Sequence, residues 1–105
     1  MDKVAETSIL FDLYGGLLTE KKRNVMELYH EENLSLSEIA EEQGISRAAV
    51  HDALKSAEKN LHDYEAKLGL AKAYLDRQEA VSAIKKELGE EALKKIEKLL
   101  SRLED

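Results

Sequence analysis

The sequence predicts an all-α chain: a helix-turn-helix domain over residues 1–68, then a C-terminal helical hairpin extension over residues 69–105. Three observations carry this. There is no proline and only five glycines, so little interrupts a helix. Ala, Leu, Glu and Lys dominate while aromatics are scarce, a composition that favours helix over sheet. And the run LSLSEIAEEQGISRAAVHD, ending at Asp52, is punctuated as two short helices crossing at a tight turn. At 105 residues the length allows a modest core and not two large ones.

The elements follow in order. A first helix is expected over Val4 to Tyr14, with Ile9, Leu10, Leu13 and Tyr14 as its apolar stripe and Phe11 at the edge. Gly15 and Gly16 end it. Thr19 can cap a second helix over Glu20 to Glu31, whose buried face would be Val25, Met26, Leu28 and Tyr29. Ser35 can cap the third, Leu36 to Gln43, and Glu38 three residues on closes a capping box. In that helix Ile39 faces inward and Ala40 is small where the next helix crosses. Gly44 can supply the positive φ of the turn, Ile45 plugs it, Ser46 caps the following helix and Val50 anchors it.

That fourth helix is long. Val50, Leu54, Ala57, Leu61, Tyr64 and Leu68 recur at alternating steps of four and three, the spacing of a coiled-coil seam. Its first part packs on its own domain; Leu61, Tyr64 and Leu68 call for another partner. Gly69 ends it. Tyr74, Val81, Ile84 and Leu88 continue an apolar face interrupted by Arg77, and folding this fifth helix back along the fourth gives the hairpin. Past a break at Gly89, residues Ala92, Leu93, Ile96, Leu99, Leu100 and Leu103 form a last stripe with nothing in the chain left to cover it. The expected dimer or partner interface is therefore Leu61, Tyr64, Leu68, Tyr74, Leu99 and Leu103, with a homodimer favoured over a helix-receiving partner.

Charge restricts the function. The net charge is −6, with eight Lys/Arg against fourteen Asp/Glu in residues 1–69 and eight of each in 70–105. The acidic excess thus lies in the half that carries the helix-turn-helix. Phosphate neutralisation supplies most non-specific affinity, so generic duplex DNA should be bound weakly at physiological salt. Two cationic groups stand against that background. Arg47, His51 and Lys55 share one face of the recognition helix at i, i+4 and i+8, where Arg can grip a guanine edge or a phosphate and Lys a phosphate. Ala48 and Asp52 dilute that face. Lys21, Lys22 and Arg23 crowd the first turn of the second helix, where cations oppose the helix dipole, and a phosphate partner would account for them as well as a solvated turn would.

Other chemistries find no support. Cysteine is absent, which excludes disulfides and thiolate metal sites, and His30, His51 and His62 share no ligand spacing. The pairs Glu31-Glu32, Glu41-Glu42 and Glu90-Glu91 point in different directions on a helix, and no phosphate loop or activated nucleophile is evident. No catalytic residue, metal or cofactor is expected. Tyr64 and Tyr74 could stack on RNA bases but fit packing better. No segment approaches the roughly 18 apolar residues of a membrane span and the N-terminus lacks a signal-like core, so a cytoplasmic protein without membrane insertion is expected.

The run YGGLLTEKKRNVMELYHEENLSLSEIAEEQGISRAAVHDALKSAEKNLHDYEAKLGL resembles the YlxM-like family of helix-turn-helix proteins of Gram-positive bacteria, with ISRAAVHDALK and LHDYEAKLGL its most specific parts. More distantly, Leu18 to Leu61 is similar to region four of bacterial sigma factors. The family resemblance implies a link to the signal recognition particle pathway, with the particle's GTPase and its small cytoplasmic RNA as implied partners. The sigma likeness implies nucleic-acid contacts at Ser46, Arg47, Ala48, His51, Asp52 and Lys55. Two other readings stay open beside this accessory or regulatory factor: a sequence-specific DNA-binding transcriptional regulator, and a protein-interaction module that has lost nucleic-acid binding.

Overall fold

The computed structural model describes residues 2–103, and among these it is all helical. Helix α1 is Lys3–Tyr14, and a 3-10 turn, Gly15–Leu17, leads from it to α2, Glu20–Met26. The chain then widens into a π turn, Glu27–Glu31. Helices α3 (Leu36–Gln43), α4 (Arg47–Leu68), α5 (Leu70–Glu87) and α6 (Glu90–Leu100) complete the order. The chain divides into two compact units, one up to Ala71 and one from Lys72 onward.

In the first unit, α1, α2 and α3 all pack on α4. The core consists of Leu10, Phe11 and Tyr14 from α1, Leu18, then Val25 and Met26 from α2, Ile39 and Ala40 from α3, and Val50, Leu54, Ala57 and Leu61 from α4, closed by Ala71. Asp2 caps α1 through its carboxylate, which accepts from the Ala5 N–H at 2.8 Å, and Thr19 caps α2 from the Lys22 N–H at 3.4 Å.

Three assignments of apolar residues change. The buried face of α1 is Thr7, Leu10, Phe11 and Tyr14, an i, i+3, i+4, i+7 set, so Phe11 is a core residue and Leu13 is exposed. In the second helix the π turn, marked by Glu32 N–H donating to the Glu27 carbonyl at 3.2 Å, adds a residue to the turn and shifts the phase. Tyr29 is consequently exposed, standing edge-on to the His30 ring at 5.0 Å, and not part of the buried face.

The third change concerns α4. Leu61 is 0% exposed inside the first unit, so it is a core residue and no surface for another chain. The reason is α1, which lies along the second half of α4 and covers the seam there. Tyr64 joins the same packing. Its ring sits 6.0 Å from that of Tyr14, and its hydroxyl donates to the Leu17 carbonyl at 3.3 Å. Leu68 stays 55% exposed.

Past Leu68 the backbone turns at Gly69, in the left-handed region at φ 62°, where only glycine is free of a Cβ penalty. The first N–H groups of α5 are then satisfied by side chains from α1 and α4. Leu70 N–H donates to the Tyr14 hydroxyl at 3.0 Å, Ala71 N–H donates to Glu65 Oε1 at 2.9 Å, and the Tyr14 hydroxyl donates to the same Oε1 at 2.6 Å. Burial, and then the hydrogen bond to the Glu65 carboxylate, push the Tyr14 phenol above its ordinary range. Its neutral form therefore contributes stability that persists up to the ordinary tyrosine range and is lost as the pH rises through the folded value. Tyr14→Phe should leave the Leu70 N–H without its acceptor and remove a donor from Glu65. Amide exchange at Leu70 and Ala71, measured on both proteins, is expected to quicken on the order of tenfold.

In the second unit, α5 from Lys72 and α6 bury no described side chain, α5 having only Ala71 buried. Tyr74 is 42% exposed.

Candidate nucleic-acid interface

The face that matters is held by the turn between α3 and α4, and each part of that turn has a local cause. Ser35 and Glu38 form a reciprocal capping box: Glu38 N–H donates to Ser35 Oγ at 3.1 Å, and Ser35 N–H donates to the Glu38 carboxylate at 3.0 Å. At the other end Gly44 adopts φ 67°, and its N–H and that of Ile45 both donate to the Ala40 carbonyl, Ile45 at 3.1 Å. Ile45 packs against the core and Ser46 Oγ accepts from the Ala49 N–H at 3.0 Å. With Val50 fully buried below, the rotation of α4 about its axis is fixed.

That rotation decides what the helix shows to solvent. Ser46, Arg47, Ala48, His51, Asp52 and Lys55 are all exposed. Arg47, His51 and Lys55 lie one turn apart on one side, and the side chains of Arg47 and Lys55 engage no described residue. His51 Nδ1 is 3.8 Å from Asp52 Oδ1, an ion pair when the imidazole is protonated, so Asp52 offsets the charge at that point only. Ser46 Oγ accepts the cap bond from the Ala49 N–H, which leaves its O–H to donate to a ligand.

The second expected cluster is not a unit. Lys22 Nζ donates to Asn60 Oδ1 on α4 at 2.8 Å, so this ammonium braces α2 against α4. Lys21 is exposed and Arg23 half-buried. Asn60 escaped sequence reading, because nothing in the pattern pairs it with a lysine 38 positions earlier.

The flank of the site is acidic. Leu34, Glu38, Glu41 and Glu42 line a shallow open groove beside α3, the helix that in many helix-turn-helix complexes crosses the phosphate backbone. A phosphate backbone laid there would meet carboxylates. Among the described residues no group of three or more His, Asp or Glu is arranged to hold a metal ion, and no helix is long and apolar enough to cross a membrane.

The capping box makes a pH prediction. The Ser35 N–H, and next its hydroxyl, lower the Glu38 carboxyl below its ordinary value of 4.5. A depressed folded value means stability present above that ordinary value and lost as the pH falls through the folded one. The urea midpoint of the wild-type chain should exceed that of Glu38→Gln at pH 7, and the gap should close in acid. A gap constant from pH 7 to pH 2 would show that the charge contributes nothing.

Residues 1–104 match the family described as "Putative helix-turn-helix protein, YlxM / p13 like", also designated UPF0122. The chain belongs to this family. A UPF0122 protein of Bacillus mycoides (strain KBAB4) is 45% identical over 91 residues, covering 87% of this chain and 83% of that relative. UPF0122 proteins of Bacillus cereus (strain AH187) and Bacillus anthracis (strain A0248) are 44% identical over the same span and shares. As a UPF0122 chain, its turn between α3 and α4 is the feature after which the family is described.

Proposed function

We propose that this chain is a non-enzymatic, cytoplasmic, nucleic-acid-binding accessory or regulatory factor of the bacterial signal recognition particle pathway, acting through the exposed face of α4. The observation that carries the nucleic-acid reading is the pair of cations Arg47 and Lys55, fixed two turns apart on a rigid helix and engaged by no described group of their own chain. Unpaired cations on a pre-oriented helix bind phosphate without first breaking an internal contact. The acidic groove at α3 argues for a small contact and against broad duplex coverage. The pathway assignment rests on the resemblance to the YlxM-like family, which implies the particle's GTPase and its small cytoplasmic RNA as partners; the distant likeness to sigma region four implies the nucleic-acid contacts of α4.

The test is a tagged pull-down from native lysate, with and without nuclease, sequencing the recovered nucleic acid and identifying the recovered proteins. Enrichment of the small cytoplasmic RNA or the GTPase supports the assignment, and nuclease sensitivity separates the direct contact from the indirect one. Recovery of discrete genomic fragments instead would make the chain a DNA-binding regulator.

A further inference from the structure

Asp52 stands where the surface of α4 projects furthest from the core. It lies two residues after Val50 and two before Leu54, both buried, so helical geometry turns it about 160–200° away from them. The turn at Gly44 and the buried seam of α4 hold it in that position. Its side chain is 86% exposed, and among the described residues its one charge contact is the long pair with His51, at 3.8 Å. Two other exposed aspartates are spent locally. Asp63 and Asp76 each close an i, i+4 ion pair with a lysine, at 3.0 and 3.3 Å.

Charge around this apex is one-sided. Arg47, His51 and Lys55 follow one flank of the helix over about 12 Å. Along the same stretch the opposite flank, Ala49, Ala53 and Ser56, is half-buried and carries no charge. A duplex brings a phosphate strand to each side of a helix laid in its groove, and here only one side offers cations. A single strand needs one cationic flank, with its bases turned over the apex. Ala48, one turn before Asp52, is small and exposed, so a flat base can lie close to the helix there.

A carboxylate at the apex reads little. When ionised it only accepts hydrogen bonds, through two oxygens. Among the Watson–Crick edges of the bases, guanine alone presents two adjacent donors, N1–H and N2–H, which match that fork. Cytosine, adenine and uracil each set an acceptor beside the donor, and its lone pair repels the carboxylate. The guanine O6 accepts in turn, and the His51 imidazole beside Asp52 can supply an N–H. In a duplex this edge is already paired; only an unpaired guanine offers it.

We propose that Asp52 is a specificity-determining residue that selects an unpaired guanine, on a strand whose phosphates lie along Arg47 and Lys55. This rests on the nucleic-acid reading of α4 and names its ligand.

The probes are short fluorescent uracil strands carrying one central guanine, one inosine or neither, with a matching DNA set on thymine. Anisotropy at about 0.1 M salt is expected to show the guanine strand bound about tenfold or more tightly than the plain strand, the worth of one bidentate base contact. Inosine, which lacks only the N2 amine, should lose most of that preference, and pairing the strands with their complements should abolish it. Asp52→Asn sets an amide NH₂ against the guanine amine, so the preference should fall to about twofold or less. The plain strand should stay bound at least as tightly, since an anion has been removed, and an unchanged melting curve checks the fold. A guanine preference in either set supports the proposal, and the more tightly bound set identifies the source as RNA or DNA. A preference that survives Asp52→Asn overturns the assignment. Equal binding of guanine and plain strands overturns the proposal and leaves the nucleic-acid reading standing. Binding of none of the strands overturns it too, and failure to bind the small cytoplasmic RNA or duplex DNA as well overturns the nucleic-acid reading with it.

Discussion

Replacing Leu61 by Ala is expected to destabilise the first unit by about 2–5 kcal/mol. Leu61 is fully enclosed where α1 crosses the second half of α4, and the tyrosines 14 and 64 stand beside it. The packing there is pinned by hydrogen bonds from both tyrosines, so the surroundings collapse poorly into the vacated volume and the cost should sit in the upper part of the range. In a unit of about 70 residues such a loss lowers the melting temperature by something like 10–30 °C. Calorimetry on the wild-type and substituted chains reads it directly. A shift below about 2 °C would mean that α1 does not cover this part of α4 in solution. The same substitution at Leu68, on the same seam but exposed, should change the melting temperature by no more than a few degrees.

Arg47→Glu combined with Lys55→Glu should abolish nucleic-acid binding while leaving the fold intact. Both side chains are exposed and engage no described residue, so the stability change should stay within about 0.5 kcal/mol. Binding is affected twice over, since two phosphate-neutralising charges are lost and two repulsive ones added. The affinity for the small cytoplasmic RNA, measured by fluorescence anisotropy at about 0.1 M salt, should fall at least 100-fold. The slope of log affinity against log salt should become shallower by about two for duplex DNA and somewhat less for single strands. Unchanged binding would remove the α4 face from the interface and place the nucleic-acid contact elsewhere on the chain.

Legibility in the sequence followed the range of the interactions. The turn from Ser35 to Val50 was readable residue by residue, because a capping box, a positive-φ glycine and an N-cap serine each act over three or four positions. Helix ends at Tyr14, Gln43 and Leu68 were readable for the same reason. Which apolar residues cover which was not. A stripe at steps of four and three looks the same whether its cover is another chain or α1, and only the fold shows that Leu61 is spoken for. The π turn was equally silent, since one added residue leaves no mark in composition and yet moves Tyr29 out of the core. At the candidate site, the exposed face of α4 could be derived from periodicity, whereas the bond from Lys22 to Asn60 joins residues no local rule connects.

The latch formed by Tyr14 and Glu65 over the first amides of α5 sets where this protein can be cut. A fragment ended at Leu68, the last residue of α4, would discard the two N–H donors that complete the Tyr14–Glu65 pair. A fragment carried through Ala71 keeps the latch closed and the last core residue in place. For anyone isolating the helix-turn-helix for binding work, three residues separate a folded reagent from a frayed one.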